Sequence, residues 1–564
     1  MTRRCLAAVV VSAILWLPLQ AFTAGPGPTQ QNADLNNANM LFRSGRFAEA
    51  ATKFQAIVKA DPMDLLAQLG LIHSLLRAQE LDQAQAAAIA AVTAQPDSSR
   101  LVTALGDVQF RLGQMPEAER SYLKAEGLDS NNPSPYVGAA RVYRAYSLYR
   151  RAYDQLNHAR QIAPNDSGVQ LMWLSTLPVP ERIATLQNYL AGGNSEDQEE
   201  SALLHRYLEF LNATANKPGH PCRLVSKVER TNTKLLAMKS NTSHLAATGL
   251  EVKLNGLVSR LALDTGSSGI LVRSDSAEKA GLTRIGEQHV GGLGDKGQQT
   301  GYIAVANHIR IGDLEFEDCA VRVIDSAGPS ENDGLIGTDV FGPYLIDIDI
   351  PGAKLRLSPL PKRPDEAAAP TALNSAGETS AAPEDNVENG GEQRTAPPAN
   401  QGKTAASFSF SLPKDAYVAP EMARWTKVFR FGHILLIPTL VDKSNSMLFM
   451  IDTGAFTNVL STRAAREVTQ VRSDPRMQVK GLSGNVKNVY RADKATLEFG
   501  HYYQENQDIV TLDLSAVSKS TGTEVSGILG FALLRILQVK IDYRDGLVDF
   551  VYDPKHLPKG ISIR

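Results

Sequence analysis

Cysteine is nearly absent from this chain: of 564 residues only three are cysteine, and Cys5 falls in the first apolar run. Cys222 and Cys319 are left as the one pair able to form a disulfide, with two buried thiols as the alternative. Neither sign of charge is in excess. The formal net charge is -2 and the pI ≈ 6.6, so the electrostatic footprint of a nucleic-acid binder is missing. Beyond Leu19 no apolar stretch is long enough to cross a bilayer. The ten histidines form no H-E-x-x-H, no cysteines have zinc-ligand spacing, and there is no G-x-S-x-G elbow. Zinc-peptidase and serine-hydrolase signatures are therefore absent.

What is present starts at the N-terminus. Arg3-Arg4 precede an apolar run to Leu19, and Ala21-Phe22-Thr23-Ala24 supplies small residues for cleavage. This reads as a secretory signal over 1–24, giving an exported mature chain, periplasmic or extracellular and free of the membrane once cleaved. An uncleaved membrane anchor is the alternative. A chain of this length is expected to hold several domains.

Pro62, Pro96, Ser130 and Pro164 recur every 34 residues at helix-ending positions. In the same period fall Ala50, Ala84, Ala118 and Ala152, the small residues Ala38, Gly106 and Ala140, and the bulky Phe54, Tyr122 and Leu156. Small positions let antiparallel helices approach while large ones fill the gaps between units. The second unit departs, with Ile72 at a small site and Ala88 at a bulky one. The pattern resembles four tetratricopeptide repeats over 31–165, with a helical cap or extension over 166–217. That resemblance implies a concave surface for a protein partner or substrate; a plain spacer that holds the rest of the chain is the other reading.

The remainder is a duplication. Asp264-Thr265-Gly266 and Asp452-Thr453-Gly454 each follow an apolar run and precede small residues and a second apolar stretch. The same shift carries Tyr302 onto Tyr490; Gly334-Leu335-Ile336-Gly337 then matches Gly527-Ile528-Leu529-Gly530, five residues further out of step. From the last glycine of each, twelve residues lead to Asp349 and Asp542, a turn and a closing strand. Asn255-Gly256 between alternating runs predicts a hairpin leading into the first Asp. The glycine-rich stretch 291–297 and its counterpart Gly481-Leu482-Ser483-Gly484 fit flaps. Gly292 to Gly297 also match G-x-G-x-x-G, but the strand-like residues that follow contradict the helix a dinucleotide site needs. Between the halves, 361–405 is rich in Ala, Pro, Glu, Asn, Gly and Ser and is expected to be a disordered tether.

Each half resembles a retropepsin-like aspartic protease domain, and the two together resemble the two-lobed, pepsin-like arrangement, over about 246–360 and 406–555. The expected architecture is multidomain: an all-α solenoid followed by two all-β lobes forming a pseudo-dimer, with lobes at 222–360 and 406–558. The resemblance implies an aspartic endopeptidase without metal or cofactor, acting on peptide or protein. Asp264 and Asp452 would share a proton and activate a water, Thr265 and Thr453 would lock the loops together, and Gly266 and Gly454 would permit close approach. Ser267 and Ala455 complete the loops, and Gly292, Leu293, Gly294, Tyr302, Gly481, Leu482, Gly484 and Tyr490 are candidate flap or substrate contacts. Because a hydroxyl at Ser267 could stabilise a carboxylate and Ala455 could not, Asp264 is expected to be the more readily ionised partner. Competing readings are a peptide-binding protein that has lost catalysis, a pair of phosphate loops of the actin-like ATPase kind, and pairing of each lobe with a second chain.

Overall fold

The computed structural model describes residues 28–194, 197–215, 222–239, 245–290, 299–325, 332–367, 413–443, 446–482 and 484–554. The expected signal, most of the expected tether, and Gly292, Leu293 and Gly294 lie outside the described residues.

Eight helices form the repeat array: α1 (Pro28–Arg43), α2 (Phe47–Ala60), α3 (Leu65–Arg77), α4 (Leu81–Ala94), α5 (Ser99–Arg111), α6 (Met115–Leu128), α7 (Pro133–Ala145) and α8 (Tyr149–Ile162). Local chemistry sets their ends. Asp64, Ser98 and Asn132 cap α3, α5 and α7 by accepting from backbone amides near their starts. The turn inside each pair passes through a left-handed residue, in order Gly45, Gln79, Gly113 and Ser147. Packing follows the small-large rule. The Tyr122 ring is fully buried and fills space where a Cβ on Gly106 or Gly138 would sit. The second repeat inverts the sizes consistently, since Ile72 and Ala88 are both fully buried. Successive first helices pack on one another, α3 on α5 and α5 on α7, so they line the inside of the curve.

Three further helices follow: α9 (Ser167–Leu174), α10 (Val179–Ala191) and α11 (Gln198–Ala215). α9 stacks on α7 and α8 as a fifth first helix would. The extension then leaves the end of the array and turns back. Asp197, at the start of α11, pairs with Arg77 at the end of α3, and α11 lies against the lobe-one strand Thr283–Val290. It is a bridge between array and lobe rather than a terminal cap.

The β region is two lobes and a shared sheet. In lobe one, Leu245–Leu254 and Leu257–Asp264 form a hairpin whose turn residues Asn255 and Gly256 both have positive φ, 47° and 90°. The strand ending at Asp264 runs parallel to Gly334–Gly337, and in lobe two the strand ending at Asp452 runs parallel to Gly527–Gly530. Between the lobes, Tyr344–Asp349 pairs antiparallel with Leu537–Asp542, making a six-stranded sheet to which both contribute. One continuous apolar core runs from Leu250 and Leu263 through Ile346 and Ile541 to Ile451 and Phe531. Cys222 and Cys319 are disulfide-bonded, tying the start of lobe one to its own sheet.

Two findings depart from a lobe on a loose tether. Residues 361–367 are ordered, with one helical turn at Pro364–Ala367. Both ends of the connection meet at Asp545, whose carboxylate accepts from Arg363 Nη2 at 2.6 Å and from the Tyr417 amide at 3.0 Å. Lobe two also shares a core with the array: Phe110, Met115 and Tyr143 pack with Phe429, Leu448 and Val525. Backbone bonds reinforce that contact, Glu524 N to Arg111 O at 2.8 Å and Ala416 N to Ser147 O at 3.0 Å. The edge of the array built from its intra-repeat turns is therefore covered by the chain's own second lobe.

Candidate active site

Each Asp-Thr-Gly stands where a buried strand gives way to a loop, and the loops meet between the lobes. The Thr265 hydroxyl donates to Ile451 O (2.8 Å) and accepts from the Thr453 amide (3.0 Å). Reciprocally, the Thr453 hydroxyl donates to Leu263 O (2.8 Å) and accepts from the Thr265 amide (3.1 Å). Both threonines are buried, so these four bonds form away from competing water. The glycines are demanded by space. A Cβ on Gly454 would lie 2.6 Å from the Asp264 carboxylate, and one on Gly266 would lie 2.9 Å from that of Asp452.

Asp264 and Asp452 are thereby brought into hydrogen-bonding contact with each other. Burial raises both above the usual carboxylate range, because the charged form loses its hydration. On Asp264 the neighbouring negative charge of Asp452 adds to the rise. The two differ in their backbone donors. Asp452 Oδ1 accepts from the amides of Gly454 (2.8 Å) and Ala455 (3.1 Å), whereas Asp264 Oδ1 accepts from that of Gly266 alone (2.8 Å). More donors favour charge, so the backbone amides bias the pair toward a charged Asp452 and a protonated Asp264, while the Arg322 charge acts on Asp264 in the opposite sense.

The contact on which the expectation for Ser267 rested is not made. That hydroxyl makes no hydrogen bond to Asp264, and the Ser267 amide turns to the Asp264 carbonyl (3.3 Å). The missing donor, not the extra hydroxyl, distinguishes the loops.

The floor of the site is also unequal. Under lobe one, Asp339 accepts from Ser268 Oγ (2.7 Å) and the Gly269 amide (2.8 Å), while half-buried Arg322 donates to Ser268 O. Lobe two uses Asn458 instead: its Oδ1 accepts from the Gly530 amide at 2.9 Å and its Nδ2 donates to Gln504 Oε1 at 3.0 Å. His433 reaches across from lobe two toward the Gly266 carbonyl, its pKa lowered chiefly by burial. None of these residues was singled out in the sequence. Arg322 left a trace, a lone charge in the run Ala320-Val321-Arg322-Val323-Ile324; Asp339, Asn458 and His433 left none.

Around the rim, the hairpin of lobe two carrying Gly481 and Gly484 crosses to lobe one. Leu482 packs against Leu271, Ile324 and Leu335, and its carbonyl accepts from Gln299 Nε2. Tyr302 and Tyr490 lie on strands adjoining the flap regions without a hydrogen bond to either Asp. Tyr302 is half-buried with the Arg284 guanidinium over its ring at 4.6 Å.

The aspartyl protease family model matches residues 250–340 and again 437–533, once around each Asp-Thr-Gly. The two lobes are retropepsin-like aspartyl protease domains. The tetratricopeptide repeat model matches 35–80 and 69–133, within the helical array that precedes these protease domains. Over 165 residues the chain is 29% identical to DNA damage-inducible protein 1 of Neurospora crassa, covering 27% of this chain and 36% of that protein. The chain thus spans about a third of the length of that curated relative. Similar solved structures include a thermophilic TPR protein of Thermus thermophilus, at 18% identity and a TM-score of 0.27, covering 32% of this chain and 98% of that one. Another is PilF of Pseudomonas aeruginosa, at 14% identity and a TM-score of 0.24, covering 33% and 86%.

Proposed function

We propose that the protein is an aspartic-type endopeptidase that hydrolyses peptide bonds of a peptide or protein substrate. The observation that carries this reading is the half-buried, hydrogen-bonded pair Asp264–Asp452 at the junction of the two protease domains. A water held between the carboxyls would lose its proton to ionised Asp452 as it attacks the scissile carbonyl. Protonated Asp264 would polarise the carbonyl oxygen, so no acyl-enzyme forms. Leu482, Leu271 and Leu335 would give the covered side of the cleft an apolar wall.

The array is read as holding a protein partner or substrate. With its turn edge against lobe two, a partner would take the inner face of the first repeats, where Asn39 and His73 are exposed. Export to the periplasm or the exterior completes the proposal, supported by the N-terminal apolar run and by a disulfide that an oxidising compartment would maintain. N-terminal sequencing of the mature chain from a fractionated cell checks export.

The deciding experiment is digestion of a peptide library by the purified mature chain from acid to neutral pH, beside Asp264→Asn and Asp452→Asn. Cleavage by the native chain and loss of at least about 1,000-fold in each variant are expected, equivalent to about 4 kcal/mol of barrier. Tight peptide binding without turnover in the native chain would overturn the peptidase reading.

A further inference from the structure

A chain of polar contacts begins in the repeat array and ends beside Asp264. Arg430, in the lobe-two strand Phe429–Phe431, is its centre. Its Nη1 donates to the Tyr149 hydroxyl at the start of α8 (3.2 Å) and to the Tyr543 carbonyl (2.6 Å), while its Nε donates to Gly432 O (2.9 Å). The guanidinium also lies over the Tyr543 ring at 5.6 Å. One planar fork thus joins the array to the turn that closes lobe two.

Tyr543 is buried, and its hydroxyl has two partners: Thr338 Oγ1 at 2.7 Å and His433 O at 3.3 Å. A phenol has one proton, and a carbonyl can only accept. The Tyr543 O–H therefore donates to His433 O, and the Thr338 O–H donates to Tyr543. Each branch leads to the catalytic loop. Thr338 directly follows Gly337, which stands opposite Asp264 in the parallel ladder and leaves no room for a Cβ against Ser267 O. The His433 ring lies toward Gly266 O. The backbone around Asp264 is thus gripped from two directions by groups that Tyr543 orients.

The other half of the molecule lacks the relay. Pseudo-symmetric register puts Ala237 at the place of Arg430, Ile350 at that of Tyr543 and Phe531 at that of Thr338, all apolar. The contacts are therefore not a requirement of the lobe fold. They occur on the side where the array docks, and the array is held firmly there: the Asp415 carboxylate accepts the amides of Arg150 and Arg151 at the start of α8 (2.9 and 3.1 Å).

We propose that Arg430 and Tyr543 are positioning residues through which the fourth repeat holds the Asp264 loop, making the array part of the active site and not only a docking module. The consequence for catalysis rests on the peptidase reading; the mechanical coupling does not. A partner that shifts the fourth repeat would then be read out at one of the two aspartates.

The test uses the full chain carrying Tyr543→Phe, Arg430→Met or Tyr149→Phe, with native-like circular dichroism as the control for folding. Hydrogen–deuterium exchange over Leu263–Ser268 needs no activity. Tyr543→Phe and Arg430→Met are each expected to speed it at least about fivefold and to leave Ile451–Phe456 unchanged. Tyr149→Phe, which removes one oxygen, should act in the same direction by less, and it keeps the test available if Arg430→Met does not fold. Combining Arg430→Met with Tyr543→Phe should add little to the stronger single change, because both break one path. On a cleaved peptide, kcat should fall about tenfold with KM held within about twofold, the mark of a lost transition-state alignment. Unchanged exchange at Leu263–Ser268, or equal acceleration in both loops, overturns the proposal. A native chain that cleaves nothing would instead count against the peptidase reading and leave the exchange result to decide this one.

Discussion

Thr265→Val removes one oxygen from the junction of the lobes and keeps the side-chain shape. The lost hydroxyl donates to Ile451 O and accepts from the Thr453 amide, so the variant leaves one buried acceptor and one buried donor without partners. At about 1–3 kcal/mol for each stranded group, the loss comes to about 2–4 kcal/mol once some relaxation of the loop is allowed. Thr453→Val strands a different pair, Leu263 O and the Thr265 amide. The two threonines touch, yet each variant orphans groups the other leaves paired. The double variant should therefore cost about the sum of the singles, which neighbouring residues do not usually show. Urea unfolding followed by the far-ultraviolet signal of the β lobes measures this, with the m-value compared across variants to confirm that the same surface unfolds. A single-variant loss under about 0.5 kcal/mol would mean that water or a rearranged loop satisfies these groups, and the reasoning from buried partners would fail.

Two further outcomes follow from the same structure. Both aspartates have folded-state pKa values raised by burial, so the folded chain binds more protons than the unfolded one between about pH 3.9, the unfolded value, and the raised folded values. Their contribution to stability is then full below that window and is lost as pH rises through it; Asp264→Asn should stabilise the chain at pH 7, with an advantage that shrinks toward pH 4 in parallel melts. Replacing both Cys222 and Cys319 by Ser opens a loop spanning 97 residues and should cost about 2–4 kcal/mol, read as a lower urea midpoint matched by the native chain in reductant.

Much of the architecture was legible because local signals agreed. The 34-residue recurrence of small and large residues anticipates Tyr122 lodged against Gly106 and Gly138. Asn255-Gly256 names the hairpin, since both residues adopt the left-handed backbone it needs. The two Asp-Thr-Gly triplets mark the loops that meet. Arg430, Tyr543, His433 and Asp339 were illegible because each draws its role from a partner distant in sequence, and one Arg or Tyr on a strand has no periodic signature. The ordered ends of the inter-lobe connection were missed for the same reason: composition reports too little apolar surface to fold alone, and cannot report that Asp545 will hold Arg363 and Tyr417.

The sequence by itself determined which segments become helix, strand or loop, and that the β half is built twice, because those properties depend on periodicity and on residues within a few positions of one another. Tertiary structure alone decided that the array docks on the second lobe, and that Asp452 gains a second amide donor, from Ala455, that Asp264 lacks. Both outcomes depend on which backbone amides and apolar faces come within contact distance once the chain closes, and the two identical triplets do not encode that difference.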